Sequence, residues 1–224
     1  MRENNREQCQ EVSWYMKGMT IVYEVNGSLY VNVTNRCTNR CVFCIRKNGD
    51  GAYGSDSLWL LREPSEQQIT EVIFSKDLQK YTELVFCGYG EPGIRLDVCR
   101  NVALAVKSRY PKMPVRINTN GHTSLIYGEE SVRLYKDAFD TVSISLNAPN
   151  SEKYDEICQP VSNFEHSLPA IIAFAKNVKN YVHNVVFTVV GDFLTEEEIE
   201  ECRKISAEVG IPLRVRDYIA PKEG

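Results

Sequence analysis

Residues 37–44 read Cys37-Thr38-Asn39-Arg40-Cys41-Val42-Phe43-Cys44, a C-x3-C-x2-C spacing set directly after a β-rich run. The spacing brings three thiols to one short loop and offers no fourth. Thiolates are soft ligands suited to iron-sulfur clusters, zinc or Cu(I), and a cubane cluster ordinarily takes four of them. Three protein ligands therefore leave one iron open to another molecule. A structural zinc site made from the same thiols would call for a histidine, and none stands within ordinary ligand spacing of Cys44.

Outward from the cysteines the chain alternates in period. Upstream, residues 20–25 and 28–33 are β-rich runs joined by Asn26-Gly27, a strong two-residue hairpin signal. Downstream, strands are expected at 82–87, 115–119, 141–146, 184–190 and 213–217, with helices at 65–79, 96–109, 129–136, 165–177 and 196–209. Ser65, Asp97 and Thr195 suit caps or first turns, Glu196 to Glu198 suit the positive end of a helix dipole, and Gly210 with Pro212 stops the last helix. Strand and helix repeated in this way imply a parallel sheet with right-handed crossovers. Six such units are too few for a complete eight-fold barrel; they match the α/β fold, a partial (β/α)6 TIM-like barrel with parallel strands preceded by an N-terminal β-hairpin, that the family resemblance given below implies. It forms one domain over 20–224 after an N-terminal extension, 1–19.

The strands are not uniformly apolar. Arg116, Asn118 and Asn120 alternate with Val115, Ile117 and Thr119; Ser143, Ser145 and Asn147 alternate with Val142, Ile144 and Leu146; Arg214, Arg216 and Tyr218 alternate with Leu213 and Val215. Side chains change face at every residue, so one face packs under the helices and the other, polar, faces the barrel interior. With Tyr30, Asn32 and Thr188 added, that interior describes a solvated, ligand-filled cavity. Three arginines there call for anions. Arg116, Arg214 and Arg216 are therefore substrate candidates, each equally open to a structural salt bridge, and a carboxylate or phosphate on the substrate suits the bidentate guanidinium.

A second motif follows the apolar run 84–87: Gly88-Tyr89-Gly90-Glu91-Pro92. Its glycines allow close backbone approach, and Glu91 suits an ammonium group; alone it also reads as a strand-to-helix turn. Together, CTNRCVFC and GYGEP resemble the signatures of the radical S-adenosylmethionine (radical SAM) superfamily, with Tyr89 in place of one glycine of the family's GGEP. The resemblance implies a 4Fe-4S cluster on Cys37, Cys41 and Cys44, with SAM chelating the open iron. It implies reductive cleavage of SAM to a 5′-deoxyadenosyl radical that abstracts hydrogen from a substrate in the barrel. By the same resemblance Gly88 to Pro92 meet the methionine amino group and Phe43 lies near the adenine. Asn118, with Ser145 or Asn147, contacts ribose and methionine carboxylate, and Val190 and Gly191 hold the adenine through the backbone. An external one-electron reductant such as flavodoxin or ferredoxin is implied as a partner. The strings CTNRCVFCIRKNG, LWLLREP, FCGYGEP and SISLNAP further resemble the small members associated with TatD-family hydrolases, which implies a functional link and no substrate.

Composition sets outer bounds. The 224 residues are 43% hydrophobic and 25% charged, with a net charge of −4, so nothing draws the whole chain to nucleic acid or an anionic membrane. No apolar run reaches the length of a membrane span, and the polar start lacks a secretory core, so a cytoplasmic location is expected. In that compartment eight cysteines are not a disulfide framework; Cys9, Cys87, Cys99, Cys158 and Cys202 read as scattered small hydrophobes. Residues 46–63, glycine-rich with the apolar run around Trp59, suit either a substrate lid or a cover for the cluster. His122 reads as a solvated loop histidine or a proton donor at the cavity rim. Two other functions stay open. An activase would install a glycyl radical on a partner protein, and an electron-transfer protein would hold the cluster without chemistry.

Overall fold

The computed structural model describes residues 19–220. The expected extension lies outside the described residues apart from Met19, and so does Cys9. The hairpin forms as read: β1 (Val22–Val25) pairs antiparallel with β2 (Ser28–Val31). Asn26 and Gly27 take φ of 48° and 79°, both positive, as a turn matched to strand twist demands. From β2 onward every pairing is parallel and sequential, through β3 (Leu84–Phe86), β4 (Val115–Thr119), β5 (Thr141–Ser145), β6 (Asn184–Val190) and β7 (Leu213–Arg216). Six parallel strands wound in one direction, with unjoined edges at β1 and β7, make an open partial barrel.

Helices cover its outer face: α1 (Glu66–Phe74), α2 (Leu96–Arg109), α3 (Thr123–Tyr127), α4 (Ser151–Cys158), α5 (Leu168–Val178) and α6 (Glu196–Val209). Capping boxes start α1 and α6, Ser65 with Gln68 and Thr195 with Glu198, and Gly210 in the left-handed region ends α6. Val115, Ile117, Val142, Ile144, Phe187 and Val189 pack outward with Val102, Val106, Ile171 and Phe174, all buried. Their strand neighbours point inward, so the alternation in sequence is the two faces of the sheet.

Several helices differ from expectation: the one expected at 65–79 ends at Phe74 and gives way to a 3-10 turn at Leu78–Lys80, and the short α3 is additional. Residues 129–136 form a 3-10 run, Glu129–Tyr135, after the short α3, because Gly128 at φ 84° breaks the helix between them. α4 was not anticipated: eight residues are too short for a clear apolar period. Only Tyr154, Ile157 and Cys158 of α4 are buried, and Asn150 caps it by accepting from the Lys153 N–H.

Candidate functional site

The carboxyl ends of β2–β7 surround a cavity of about 400 Å³. Tyr30, Arg116, Asn118, Ser143, Ser145, Asn147, Thr188, Arg214 and Arg216 line it, the polar face of the sequence alternation. Cys37, Cys41 and Cys44 line the same space, as do Phe43 and the segment Cys87 to Pro92. Val190 and Gly191 do not line the cavity; Gly191 packs against Val215 across the β6–β7 edge. Asn32, expected inside, is fully buried behind it, donating to the carbonyls of Leu58 (2.6 Å) and Thr20 (3.3 Å).

The cysteine loop is clamped from three sides. On the first, Arg36 grips Glu63 in bidentate fashion (2.7 and 3.1 Å), Thr34 donates to the same carboxylate (2.6 Å), and Asn35 exchanges two bonds with Leu60. On the second, backbone bonds tie Arg40, Val42 and Thr38 to Cys158, Ile157 and Val161. On the third sits His122. Its Nδ1 meets Thr38 Oγ1 at 2.8 Å, and its Nε2 meets Ser167 Oγ at 2.8 Å and the Tyr154 hydroxyl at 3.3 Å. Thr38 Oγ1 also accepts from Asn120 Nδ2 at 2.7 Å.

His122 is therefore neither a solvated loop residue nor a rim proton donor. The Gly121 turn, at φ 82°, packs on Ile144 and Ile171 and tucks the ring beneath the loop, stacked on Phe164. Burial pushes its pKa from 6.5 down to about 4. The folded chain thus keeps His122 neutral while the unfolded chain takes up a proton below about 6.5. Stability should fall as pH drops from 6.5 to 4, by up to roughly 3 kcal/mol from this residue. Denaturant midpoints at pH 7 and 4.5 test it: His122→Gln should flatten the difference, and an unchanged slope would assign it to other groups.

Glu91, only 5% exposed, is held inside the protein. Its carboxylate accepts from Gly93 N–H, Thr119 Oγ1 and Asn120 N–H, each at 2.7 Å, and thereby latches the end of β3 to the end of β4. The motif's glycines also serve the scaffold: a Cβ at Gly88 would strike Asn32, and one at Gly90 would strike the carbonyls of Thr34 and Arg36. Tyr89 anchors the 46–63 segment. Its hydroxyl donates to Gly49 C=O at 2.7 Å, and its ring meets Trp59 edge-on at 5.1 Å. Ala52, Tyr53 and Leu58 of that segment reach the cavity wall. Tyr89→Gly should loosen the segment by about 2 kcal/mol, roughly thirtyfold in local hydrogen exchange at 49–59, while β3 stays protected. Deuterium uptake read by mass spectrometry decides it, and no change at 49–59 would remove the anchoring role.

The cationic residues divide. Arg116 is fully engaged, gripping Glu83 at 2.6 and 3.1 Å and donating to Asn118 and Tyr30. Arg214 and Arg216 have no carboxylate partner among the described residues, and burial lowers the pKa of Arg216. Sequence reading missed Cys87 as a cavity residue. Its thiol is pushed up by burial and held back by Asn118, Arg116 and Arg216; its place at the end of a strand, just before GYGEP, was the available signal.

The thiols present a donor set that fits a cluster. All three line one cavity, and Cys37 Sγ accepts from the Asn39 N–H at 3.4 Å. Burial, then Glu91, pushes Cys37 up to about 12; burial raises Cys44; a bond to Cys158, then burial, raises Cys41. Protonated thiols of this kind release protons on taking iron. Among the described residues no three such side chains already converge to metal distance, so the thiols must rotate to share one centre. Asn39 and Asn147 line the cavity, and the buried Oδ1 of each has no hydrogen-bond partner.

The fold and site together are an open parallel barrel with three loop cysteines beside a cavity at its carboxyl mouth. Residues 31–204 match the family model of the radical SAM superfamily, and the chain belongs to that superfamily. GTP 3',8-cyclase of Clostridium perfringens strain 13 is 24% identical over 200 residues, covering 88% of this chain and 56% of that protein. A 5-amino-6-(D-ribitylamino)uracil–L-tyrosine 4-hydroxyphenyl transferase of Methanosarcina mazei is 28% identical over 132 residues, covering 56% and 32%. Streptococcus suis SuiB bound to S-adenosylmethionine shares the fold with a TM-score of 0.64 at 16% identity, over 99% of this chain and 44% of that one. SuiB bound to its precursor peptide SuiA gives a TM-score of 0.65. The chain spans between 32% and 56% of the length of these curated relatives. No helix among the described residues is long and apolar enough to cross a membrane.

Proposed function

We propose that the protein is a radical SAM enzyme acting on an anionic substrate held in the barrel. The observation that carries the reading is that Cys37, Cys41 and Cys44 share one cavity with the GYGEP turn and with Asn39 and Asn147. When bound, a 4Fe-4S cluster with SAM at its open iron supplies one-electron cleavage of SAM and so a reactive carbon radical. This chain's residues do the rest. The three thiols hold the cluster, and the backbone of Gly88 to Pro92 shapes the wall beside it. Asn118, Ser145 and Asn147 offer hydrogen bonds to SAM, and Phe43, wedged at 5.3 Å against Phe193, offers an apolar face. The 46–63 segment keeps water from the reacting groups.

Arg214 and Arg216 grip a substrate carboxylate or phosphate, which fits a neighbouring family member named for acting on GTP. A one-electron donor such as flavodoxin or ferredoxin would complete the cycle, and the motif likeness supports a functional link to a TatD-family hydrolase. The test is anaerobic reconstitution with iron and sulfide, reduction, and assay for 5′-deoxyadenosine after adding SAM, against a chain with alanine at all three cysteines. Product from the native chain alone supports the enzyme. A stable cluster that neither binds nor cleaves SAM would favour an electron carrier. Among anionic compounds that stimulate cleavage, Arg216→Ala should weaken the response at least tenfold, and an unchanged response would remove the arginine from the substrate site.

A further inference from the structure

The sheet is open, with unjoined edges at β1 and β7, and two segments reach across that opening. From the β1 side comes the 46–63 segment, whose Ala52 and Leu58 pack with Tyr23, Val25 and Tyr89. It is pinned to the body of the protein. Asn32 Nδ2 donates to Leu58 C=O at 2.6 Å, Asn35 exchanges bonds with Leu60 at 2.7 and 3.0 Å, and the Tyr89 hydroxyl donates to Gly49 C=O at 2.7 Å. From the β7 side comes a strap, residues 217–220, that continues the edge strand directly after Arg216. One side chain joins the two. Asn48 Nδ2 donates to Ile219 C=O at 2.6 Å, and its Oδ1 accepts from the Tyr218 hydroxyl at 3.3 Å, so both ends of one amide are spent on the strap. Asn48 is itself fixed, because it ends the 3-10 turn Ile45–Lys47 that leaves Cys44, with its N–H on Ile45 C=O at 3.0 Å. Away from Asn48 the strap rests on a Tyr218 N–H bond to Asp192 at 2.7 Å and on the Tyr218 ring, edge-on to Phe193 at 5.3 Å; Ile219 is 37% exposed. Asp217, Tyr218 and Ile219 all line the cavity, and so does Tyr53 of the pinned segment.

We propose that Asn48 is the latch of a gate on the open side of the barrel: the strap swings away to admit a ligand, and the two Asn48 bonds hold it shut over the cavity. The proposal rests on the reading of this cavity as the ligand site and does not require a cluster to be assembled there. The pinned 46–63 segment is the fixed post. The strap, with few buried contacts and with its bonds near the surface, is the part that opens first. Each Asn48 bond is exchanged for bonds to water when the strap leaves, so opening costs only the small net worth of two hydrogen bonds and a ring contact. Such a gate opens and recloses reversibly. A ligand entering here meets the edge strand, whose Arg214 and Arg216 line the cavity and have no carboxylate among the described residues. Guanidinium groups at the entrance suit an anion.

The test labels the native chain, Asn48→Ala and Tyr218→Phe, all without iron, with N-ethylmaleimide and follows each cysteine at early times by peptide mass spectrometry. Cys87 lines the cavity and reports access to it; Cys99 and Cys202, fully buried in α2 and α6, report the integrity of the fold. Asn48→Ala removes both bonds and should speed Cys87 labelling roughly tenfold, and Tyr218→Phe removes one and should speed it roughly threefold, with Cys99 and Cys202 protected throughout. Deuterium uptake at 217–220 should rise in the same order. Native Cys87 rates in both variants would overturn the gate, and native uptake in the strap would overturn the latch. An Asn48→Ala chain that also labels at Cys99 and Cys202 has lost its fold, and Tyr218→Phe then decides: faster Cys87 labelling upholds the gate and a native rate overturns it. Because no iron is used, a chain that assembles no cluster defeats the cluster reading alone, and the labelling rates still decide the gate.

Discussion

Alanine in place of Glu91 is expected to destabilise the chain by about 3–5 kcal/mol, read as a lower denaturant midpoint at unchanged slope. The buried carboxylate satisfies two backbone N–H groups, of Gly93 and Asn120, and the Thr119 hydroxyl. Removing it leaves the two buried amides without their acceptor, at about 1–3 kcal/mol each, and frees the end of β3 from the end of β4. Glu91→Gln separates a latch from a ligand contact. Glutamine has one acceptor oxygen, so its NH2 must face a donor, and a cost of about 1–3 kcal/mol is expected in the ligand-free chain. A glutamine variant as stable as the native chain would mean that the three internal bonds contribute little. The residue would then matter only to whatever binds in the cavity.

Gly90→Ala should be nearly as damaging, by about 3 kcal/mol, for a steric reason. The added carbon would meet two backbone carbonyls, of Thr34 and Arg36, and no rotamer change relieves a clash with backbone on both sides. The Glu91 N–H to Arg36 C=O bond, 2.8 Å, would stretch at the same place. Segment 34–36 leads straight into Cys37, so the variant should also take up well under the native amount of iron when reconstituted. Gly88→Ala should be milder, because its clash is with the Asn32 side chain, although Asn32 also anchors Leu58. Native stability and iron content in Gly90→Ala would show that the loop can shift without cost.

These two residues mark where sequence reading and structure part. The glycines of GYGEP allow close backbone approach, and in the fold Gly90 is approached by the carbonyls of Thr34 and Arg36 and Gly88 by the Asn32 side chain. Glu91 suits a ligand ammonium by its place in the motif, whereas in the fold its oxygens accept from two backbone N–H groups and the Thr119 hydroxyl. Motif reading identifies residue types and their order but not which neighbour takes up each contact. His122 shows the same limit, since only the fold of the Gly121 turn decides that its ring lies under the cysteine loop. Cys158 could not be set against the cysteine loop from a separation of more than a hundred positions, at the end of a helix that the period does not reveal.

The sequence by itself determined the hairpin, the parallel strand order, the two faces of the sheet and the three thiols, because each follows from local spacing and period. Strand alternation placed Arg116, Asn118, Ser145 and Asn147 on the cavity wall without any structure. Only the tertiary structure decided which of these groups remain available. It pairs Arg116 with Glu83 and, among the described residues, gives Arg214 and Arg216 no carboxylate; it ties Asn147 to Cys158 and buries its oxygen without a partner. Hydrogen-bond partners are chosen by proximity across the fold at distances near 3 Å, and no periodicity along a chain carries that information.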